Sequence, residues 1–385
     1  MQKILNIIIH PLCVFGIYAL VAIFIALQAY NAKEINNFII FQHSVFHFFE
    51  HQNPYLLYPA KYHDLFLYNP SFCIFFLPFA YLPLPAGVVL WVVCTALVYV
   101  WAIWTLPISN YTKAFVAYLV LPDVITSLQY LQTNTLLAGF ILLSFSMLER
   151  ERYFKASIFP PLGFFIKGYG GVSGVFFLLK KPTLTTFVYL GIWGVLLGCL
   201  PLLFYSFADF TKIYMQWFSS LSEDYKVNTG MSVMGLVRAT VYAEASIVGV
   251  QLVGVACFAV SLLVLLFTQG YERVKYSYLG YVLIWVVIFN QASESATIII
   301  ASTGGFMWFI GTKRTRFDIA LFVLFMLMTV LASSDILGNA YRQFVIKYSL
   351  KVLPCLLIWL KVQIDILSLL WLPIPKNEDF IQKTW

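Results

Sequence analysis

Long apolar runs dominate this chain, and its polar positions fall mostly between them. A membrane span needs about 20 apolar residues, fewer where helices are broken. Runs of that kind cover 11–30, 85–106, 113–130, 132–148, 183–207, 246–268, 276–290, 296–311, 317–333 and 340–361. Between 154 and 180 the pattern is interrupted by Pro160, Pro161, Lys167, Gly168, Gly170 and Gly171. Two short, broken helices that turn back partway are predicted there, an irregularity that membranes tolerate where protein lines it. The connections 30–84 and 208–245 are long, and the rest are short. From Ile35 to Phe49 apolar residues return at helical spacing, which predicts an amphipathic helix at the interface. The first segment has Lys3 and an apolar run but no small-residue cleavage site, so it reads as a retained helix. The pattern as a whole predicts one all-α, polytopic membrane domain over 1–385, a bundle of about 11–12 spans with an interfacial or cytoplasmic tail over 362–385.

Composition sharpens this. Charged residues make up 11% of the chain and hydrophobic ones 61%, against about 25% charged in soluble domains. With a mean hydropathy of +0.84, a soluble enzyme, a disordered chain and a nucleic-acid binder are excluded. The net charge of +7 comes from 24 Lys and Arg against 17 Asp and Glu. Its source is the basic excess that orients membrane helices, because ERERYFK, KK, YERVK and TKRTR fall on one side when spans alternate from a cytoplasmic N-terminus. Most acids, Asp123 among them, and both long loops then face the other side. Chemistry is therefore expected on the extracytoplasmic face of a plasma (bacterial inner) membrane. The six cysteines are scattered without a CxxC pair, which indicates neither a zinc site nor a disulfide framework.

Candidate chemistry lies in the outer loops. His43, His47 and His51 are four apart, a spacing that suits metal binding or, without a supporting ligand set, the wet face of an interfacial helix. The interfacial reading is preferred. Asp64, beside His63, suits a general base for an acceptor hydroxyl or a solvated loop carboxylate. Tyr55 and Tyr68 flank it in a Pro-rich stretch, as substrate contacts or as an aromatic belt. Lys167, deep in FFIKGYGG, needs a partner, a water-filled cavity or a route to a headgroup. Gln129, Gln132 and Asn134 mark an outward turn able to donate to a sugar. Arg238, at the end of NTGMSVMGLVR, suits bidentate phosphate binding or interfacial anchoring. Glu294 and Asp335 sit at outer helix ends, where a carboxylate complements a helix dipole or faces a site; Glu294, in so short a turn, is expected to face inward.

The chain resembles glycosyltransferase family 87, within the GT-C class of integral-membrane transferases. The resemblance spans nearly the whole length. It rests on NNFIIFQHSVFHFFEHQNPY, YHDLFLYNPSFCIFFLPFAYLP, Leu90-Trp91, SLQYLQTNTLLAGF, FIKGYGG, NTGMSVMGLVR and FNQASESATIIIA, in that order. It implies a GT-C-like bundle that moves a sugar, often mannose, from a polyprenyl-phosphate donor to a lipid-linked or glycan acceptor outside the membrane, with membrane lipids as surroundings and no nucleic acid. The resemblance also implies an Asp acting as base at the start of the first outer loop's helix. Asn37 stands at that position, and an amide takes no proton from a hydroxyl. Another carboxylate is therefore expected to substitute, Asp64 first and Glu294 second, with Arg238 and Lys167 holding the leaving phosphate. The leaving group is a single phosphate already held by cations, so a metal cofactor is not required. The competing readings are a flippase for lipid-linked sugar, which the lack of duplicated halves disfavours, and an inactive sugar-lipid-binding homologue.

Overall fold

The computed structural model describes residues 6–224, 229–333 and 337–371. Every regular element among them is helical. The packing groups the chain into two compact units. Among the described residues, one holds 6–107, 124–174 and 182–224, the other 108–123, 175–181, 229–333 and 337–371.

In the first unit, α1 (Pro11–Asn31) and α4 (Leu84–Thr105) are long and apolar enough to cross a membrane. With α6 (Asn134–Glu149) they form the unit's core; a Cβ on Gly139 would sit 3.3 Å from the Tyr99 Cα, so α4 and α6 pass at close range. The amphipathic helix predicted over 35–49 is α2 (Asn36–Phe49), which buries Phe38, Phe41, Val45 and Phe48. It packs on α3 (Pro70–Ala80), where Phe41 meets Phe72, Phe76 and Trp91 edge to face. The turn after α5 (Asn110–Gln129) is fixed to this cluster, since the Trp91 indole donates to the Leu131 carbonyl at 2.9 Å.

The broken stretch is as irregular as its glycines and prolines suggest: α7 (Tyr153–Ala156), α8 (Phe159–Phe164), a 3₁₀ turn over Gly168–Gly174, then α9 (Val175–Lys180). Gly163 and Gly170 make the hairpin possible. A Cβ on Gly163 would lie 2.7 Å from the Gly170 carbonyl oxygen, so the two arms touch backbone to backbone. Lys167 stands at the bend.

Three expected spans differ in form. The run 183–207 breaks at Pro201, giving α10 (Leu184–Gly198), a 3₁₀ turn over Leu200–Leu203, and α11 (Phe207–Asp224), whose opposite faces are apolar and polar. The run 317–333 begins as α16 (Arg316–Phe325) but passes into a π-helical segment and a 3₁₀ turn. The run 340–361 divides into α17 (Asn339–Lys347) and α18 (Val352–Ser368). Polar residues at Arg342, Gln343, Lys347, Ser349 and Lys351 explain that division. The expected tail therefore starts helical, because Val362, Gln363 and Ile366 are buried on one face of α18.

The second unit also contains α12 (Val233–Thr240), α13 (Ile247–Thr268), α14 (Tyr271–Ile288) and α15 (Ile298–Gly311). α13 and 352–371 are its two helices long and apolar enough to span. Glu272 accepts from both Lys180 and Lys275, the latter at 2.9 Å. The KK and YERVK clusters, assigned to one side on charge alone, are thus joined.

Candidate active site

The segment 52–68 lies back along α2 as a strap. Asn36 pins it near one end: its amide oxygen accepts from the His63 N–H at 2.9 Å, and its amide nitrogen donates to the His63 carbonyl. Trp217 of α11 donates to the Leu67 carbonyl at 3.1 Å, and the buried Tyr55 hydroxyl donates to the Tyr68 carbonyl at 3.0 Å. With both flanks fixed, Asp64 adopts φ 98°, a conformation that costs a non-glycine residue about 1–3 kcal/mol. One carboxylate oxygen accepts the Leu65 N–H at 2.8 Å, and the side chain is exposed.

Four residues further along the strap, Tyr68 meets the broken hairpin. The Lys167 ammonium lies 5.2 Å from the centre of the Tyr68 ring, within cation–π range. Lys167 also reaches the Asn134 amide oxygen at 3.5 Å, and that oxygen accepts the Tyr169 hydroxyl at 2.9 Å. The Asn134 amide nitrogen donates to Gln132 at 2.8 Å, and Thr133 donates to the Tyr68 hydroxyl at 3.3 Å. The structure thus joins Tyr55, Tyr68, Asn134 and Lys167 to the strap that carries Asp64, but leaves Gln129 exposed at the end of α5. Tyr55 supports Tyr68 from a buried position. Asn36, Thr133 and Tyr169 belong to this network too, and only their closeness to Asn37, Asn134 and Lys167 in the sequence hints at it.

Asn37 is tied to the scaffold, its amide nitrogen donating to the Tyr130 carbonyl at 2.8 Å. A carboxylate has no proton to give there.

The three histidines do not form a wet face. His47 is buried and stacks on Tyr58, ring centres 4.0 Å apart; His43 faces Tyr62 at 5.9 Å. His51 lies beyond the helix end with φ 57° and packs against Tyr205. The amphipathic helix needs Phe41, Val45 and Phe48 inward, and the strap covers the neighbouring turn. Burial, followed by Lys61, holds His43 below the usual imidazole value; for His47 burial comes first and His43 second. Among the described residues, no three His, Cys, Asp or Glu side chains gather as a metal-binding group.

In the second unit, the loop Thr229–Met231 docks on the turn FNQASES. The Met231 N–H donates to the Ser293 carbonyl at 2.6 Å. Gly230 has φ 46°, and a Cβ there would lie 2.4 Å from the carbonyl oxygens of both Gln291 and Ser293. Ser232 caps α12, accepting from the Gly235 N–H at 3.2 Å. Arg238 rides in the helix's last turn, its Nε donating to the Ala245 carbonyl at 2.9 Å. Glu294 is exposed rather than inward-facing, because its side chain caps the turn Ser295–Thr297. Asp335 lies outside the described residues. The sequence pattern also hides a buried polar centre here: Asp123, 1% exposed, accepts from Ser302 and sits in the electrostatic field of Lys351, also 1% exposed. Lys361, near Asp318 at 3.9 Å, is a further cation within an apolar helix.

Apolar helices, a broken hairpin and polar side chains gathered around it define an integral-membrane protein, all-helical among the described residues, with a polar site beside that hairpin. The family model for glycosyltransferase family 87 matches residues 66–290, and the chain belongs to that family. No curated protein and no solved structure matches it. The protein is a membrane glycosyltransferase, with a sugar donor and an acceptor as its substrates.

Proposed function

We propose that this glycosyltransferase moves a sugar, mannose in the first instance, from a polyprenyl-phosphate donor to a lipid-linked or glycan acceptor on the extracytoplasmic face, with Asp64 as base. The observation that carries this is the strap: it holds Asp64 exposed in a strained backbone conformation, and four residues on presents Tyr68 beneath Lys167. Strained residues persist where the surroundings over-determine them, and they cluster at functional sites.

In the mechanism, the free carboxylate oxygen of Asp64 takes the proton from the acceptor hydroxyl as that oxygen attacks the anomeric carbon. The bond from that carbon to the donor phosphate breaks, and the phosphate leaves with the electron pair. Lys167, in the unit that carries Asp64, is the cation that holds it. Arg238, in the other unit, has Nη atoms without a partner among the described residues, and by itself it suits a phosphate oxygen pair. Cations on a monophosphate leaving group supply the charge stabilisation the step requires, so a metal is not part of the scheme. Glu294 is the second choice as base, since capping occupies its carboxylate.

The test is transfer by purified protein in lipid, using radiolabelled polyprenyl-phosphate mannose and a membrane lipid extract. Asp64→Asn keeps the oxygen that accepts the Leu65 N–H, so the fold is retained while transfer falls by about 10²–10⁴-fold. Full activity in both Asp64→Asn and Glu294→Gln proteins would overturn the acid–base scheme.

A further inference from the structure

Beyond the strap, at the C-terminal end of α2, an open pocket of about 90 Å³ lies between residues 51–53 and 205–216. That is smaller than the ~300–1,000 Å³ of ligand pockets that enclose their ligand, and leaves room for part of one compact group held at the surface. His51 and Gln52 line it from one loop, and Tyr205, Asp209, Lys212 and Gln216 from the other side.

The lining has a definite chemistry. The Tyr205 hydroxyl is committed to the Phe48 carbonyl at 2.6 Å, which fixes the ring as a wall, and the His51 ring lies 4.6 Å from it. One Asp209 carboxylate oxygen accepts from Ser206 at 2.7 Å. The Gln52 and Gln216 amides and the Lys212 ammonium have no partner among the described residues. A pocket for a phosphate would not place a carboxylate at its mouth, and a pocket for an alkyl chain would not carry two unpaired amides. Donors and acceptors are mixed, the acid and the base offset one another, and fixed ring faces complete the wall. A neutral polyhydroxylated ring is the ligand that satisfies all of these together.

We propose that this pocket is a glycan subsite that holds a neutral sugar unit of the acceptor away from the point of transfer. The inference rests on the transferase reading and deepens it. Asn37 and His51 are 14 residues apart along α2, about 20 Å at the helical rise. An acceptor that occupies both ends is therefore an oligosaccharide of several units, not a single sugar on a lipid.

The experiment combines saturation-transfer NMR and titration in nanodiscs with three probes: a neutral mannotriose, a neutral glucotriose and glycerophosphoethanolamine. Gln216→Ala and Lys212→Met change exposed or half-exposed positions of α11 and leave the helix intact. At least one trisaccharide binds the wild type, and each variant weakens it about tenfold, the effect of one lost hydrogen bond to an otherwise unpaired group. Acceptor KM rises with oligosaccharide acceptors in the same variants while kcat holds. Trisaccharide binding that is lost in these variants keeps the glycan subsite even if no donor supports transfer, which separates this claim from the mechanism above. No trisaccharide binding by the wild type, unchanged affinity in both variants, or binding of glycerophosphoethanolamine alone would overturn it.

Discussion

Placing at residue 37 the carboxylate that the resemblance implies is the most direct perturbation of this site. In Asn37→Asp the donor to the Tyr130 carbonyl is lost, a contact of 2.8 Å worth about 1 kcal/mol. A carboxylate oxygen then faces a carbonyl oxygen across that gap, and either water enters or the side chain turns away. Asn37 is half-buried, so the added penalty is screened to about 1 kcal/mol rather than the ~3 of a fully buried charge. The position lies in the first turn of α2, where a negative charge recovers about 0.3–1 kcal/mol from the helix dipole. The sum is a destabilisation of about 1–2 kcal/mol, close to that of Asn37→Ala, which loses only the hydrogen bond. Thermal unfolding in detergent reads this as a lower midpoint for both variants. On the proposed scheme, with Asp64 as base, transfer assayed in parallel stays at or below the wild-type rate in Asn37→Asp. A tenfold or greater gain in transfer would refute the reasoning: residue 37 would then be the base position and Asp64 a strap residue only.

Three further outcomes follow from the same geometry. On the proposed scheme, in which Lys167 holds the donor phosphate, Lys167→Met raises the donor KM and lowers kcat, and Tyr68→Leu displaces the cation with a smaller effect on both; steady-state kinetics with varied donor checks the pair. Gly163→Ala places a methyl 2.7 Å from the Gly170 carbonyl and opens the hairpin at a cost of about 1–3 kcal/mol, read as lost yield of monodisperse protein. Burial and then Lys61 hold His43 below the usual imidazole value, and burial, His43 and Lys61 do so for His47, against Glu50 in both, with Tyr58 and Tyr62 packed on them. Their folded-state pKa lies below the unfolded value near 6.5. The unfolded chain therefore binds more protons as pH falls through 6.5, and stability is full above that pH and declines below it. Midpoints measured from pH 8 to 5 show the decline, and a double His43→Gln, His47→Gln protein flattens it.

Periodicity carried most of the fold, because membrane helices must satisfy their backbone internally and so announce themselves as apolar runs. The breaks were legible where they were written as Pro or Gly, as at Pro160, Gly163 and Gly170. Where a run was polar on one face only, the pattern misled: 340–361 reads as one span, yet Arg342 and Gln343 belong to α17 and Lys361 is met by Asp318 and Asp365 inside the second unit. The pattern cannot tell a buried, paired charge from a surface one. Asp123 illustrates it, assigned to the outer face by charge counting and found buried against Ser302.

The site was legible in its members but not in its joints. Asp64, Tyr68, Asn134 and Lys167 are each conspicuous as polar or aromatic groups in apolar surroundings, and that alone selects them. What makes them a site is Asn36 gripping both backbone atoms of His63, and Trp217 holding Leu67 from 150 residues away in sequence. Those contacts run from side chains to backbone, and a backbone carbonyl has no signature in the sequence. The same kind of contact occupies residue 37. An Asn beside an Asn gives two donors to two carbonyls, at His63 and Tyr130, so the start of α2 fastens the strap at one point and the turn after α5 at another. With both amides committed to the scaffold, the carboxylate of this loop stands on the strap itself, at Asp64. On the proposed scheme the base stands not on the helix but on the segment that the helix holds.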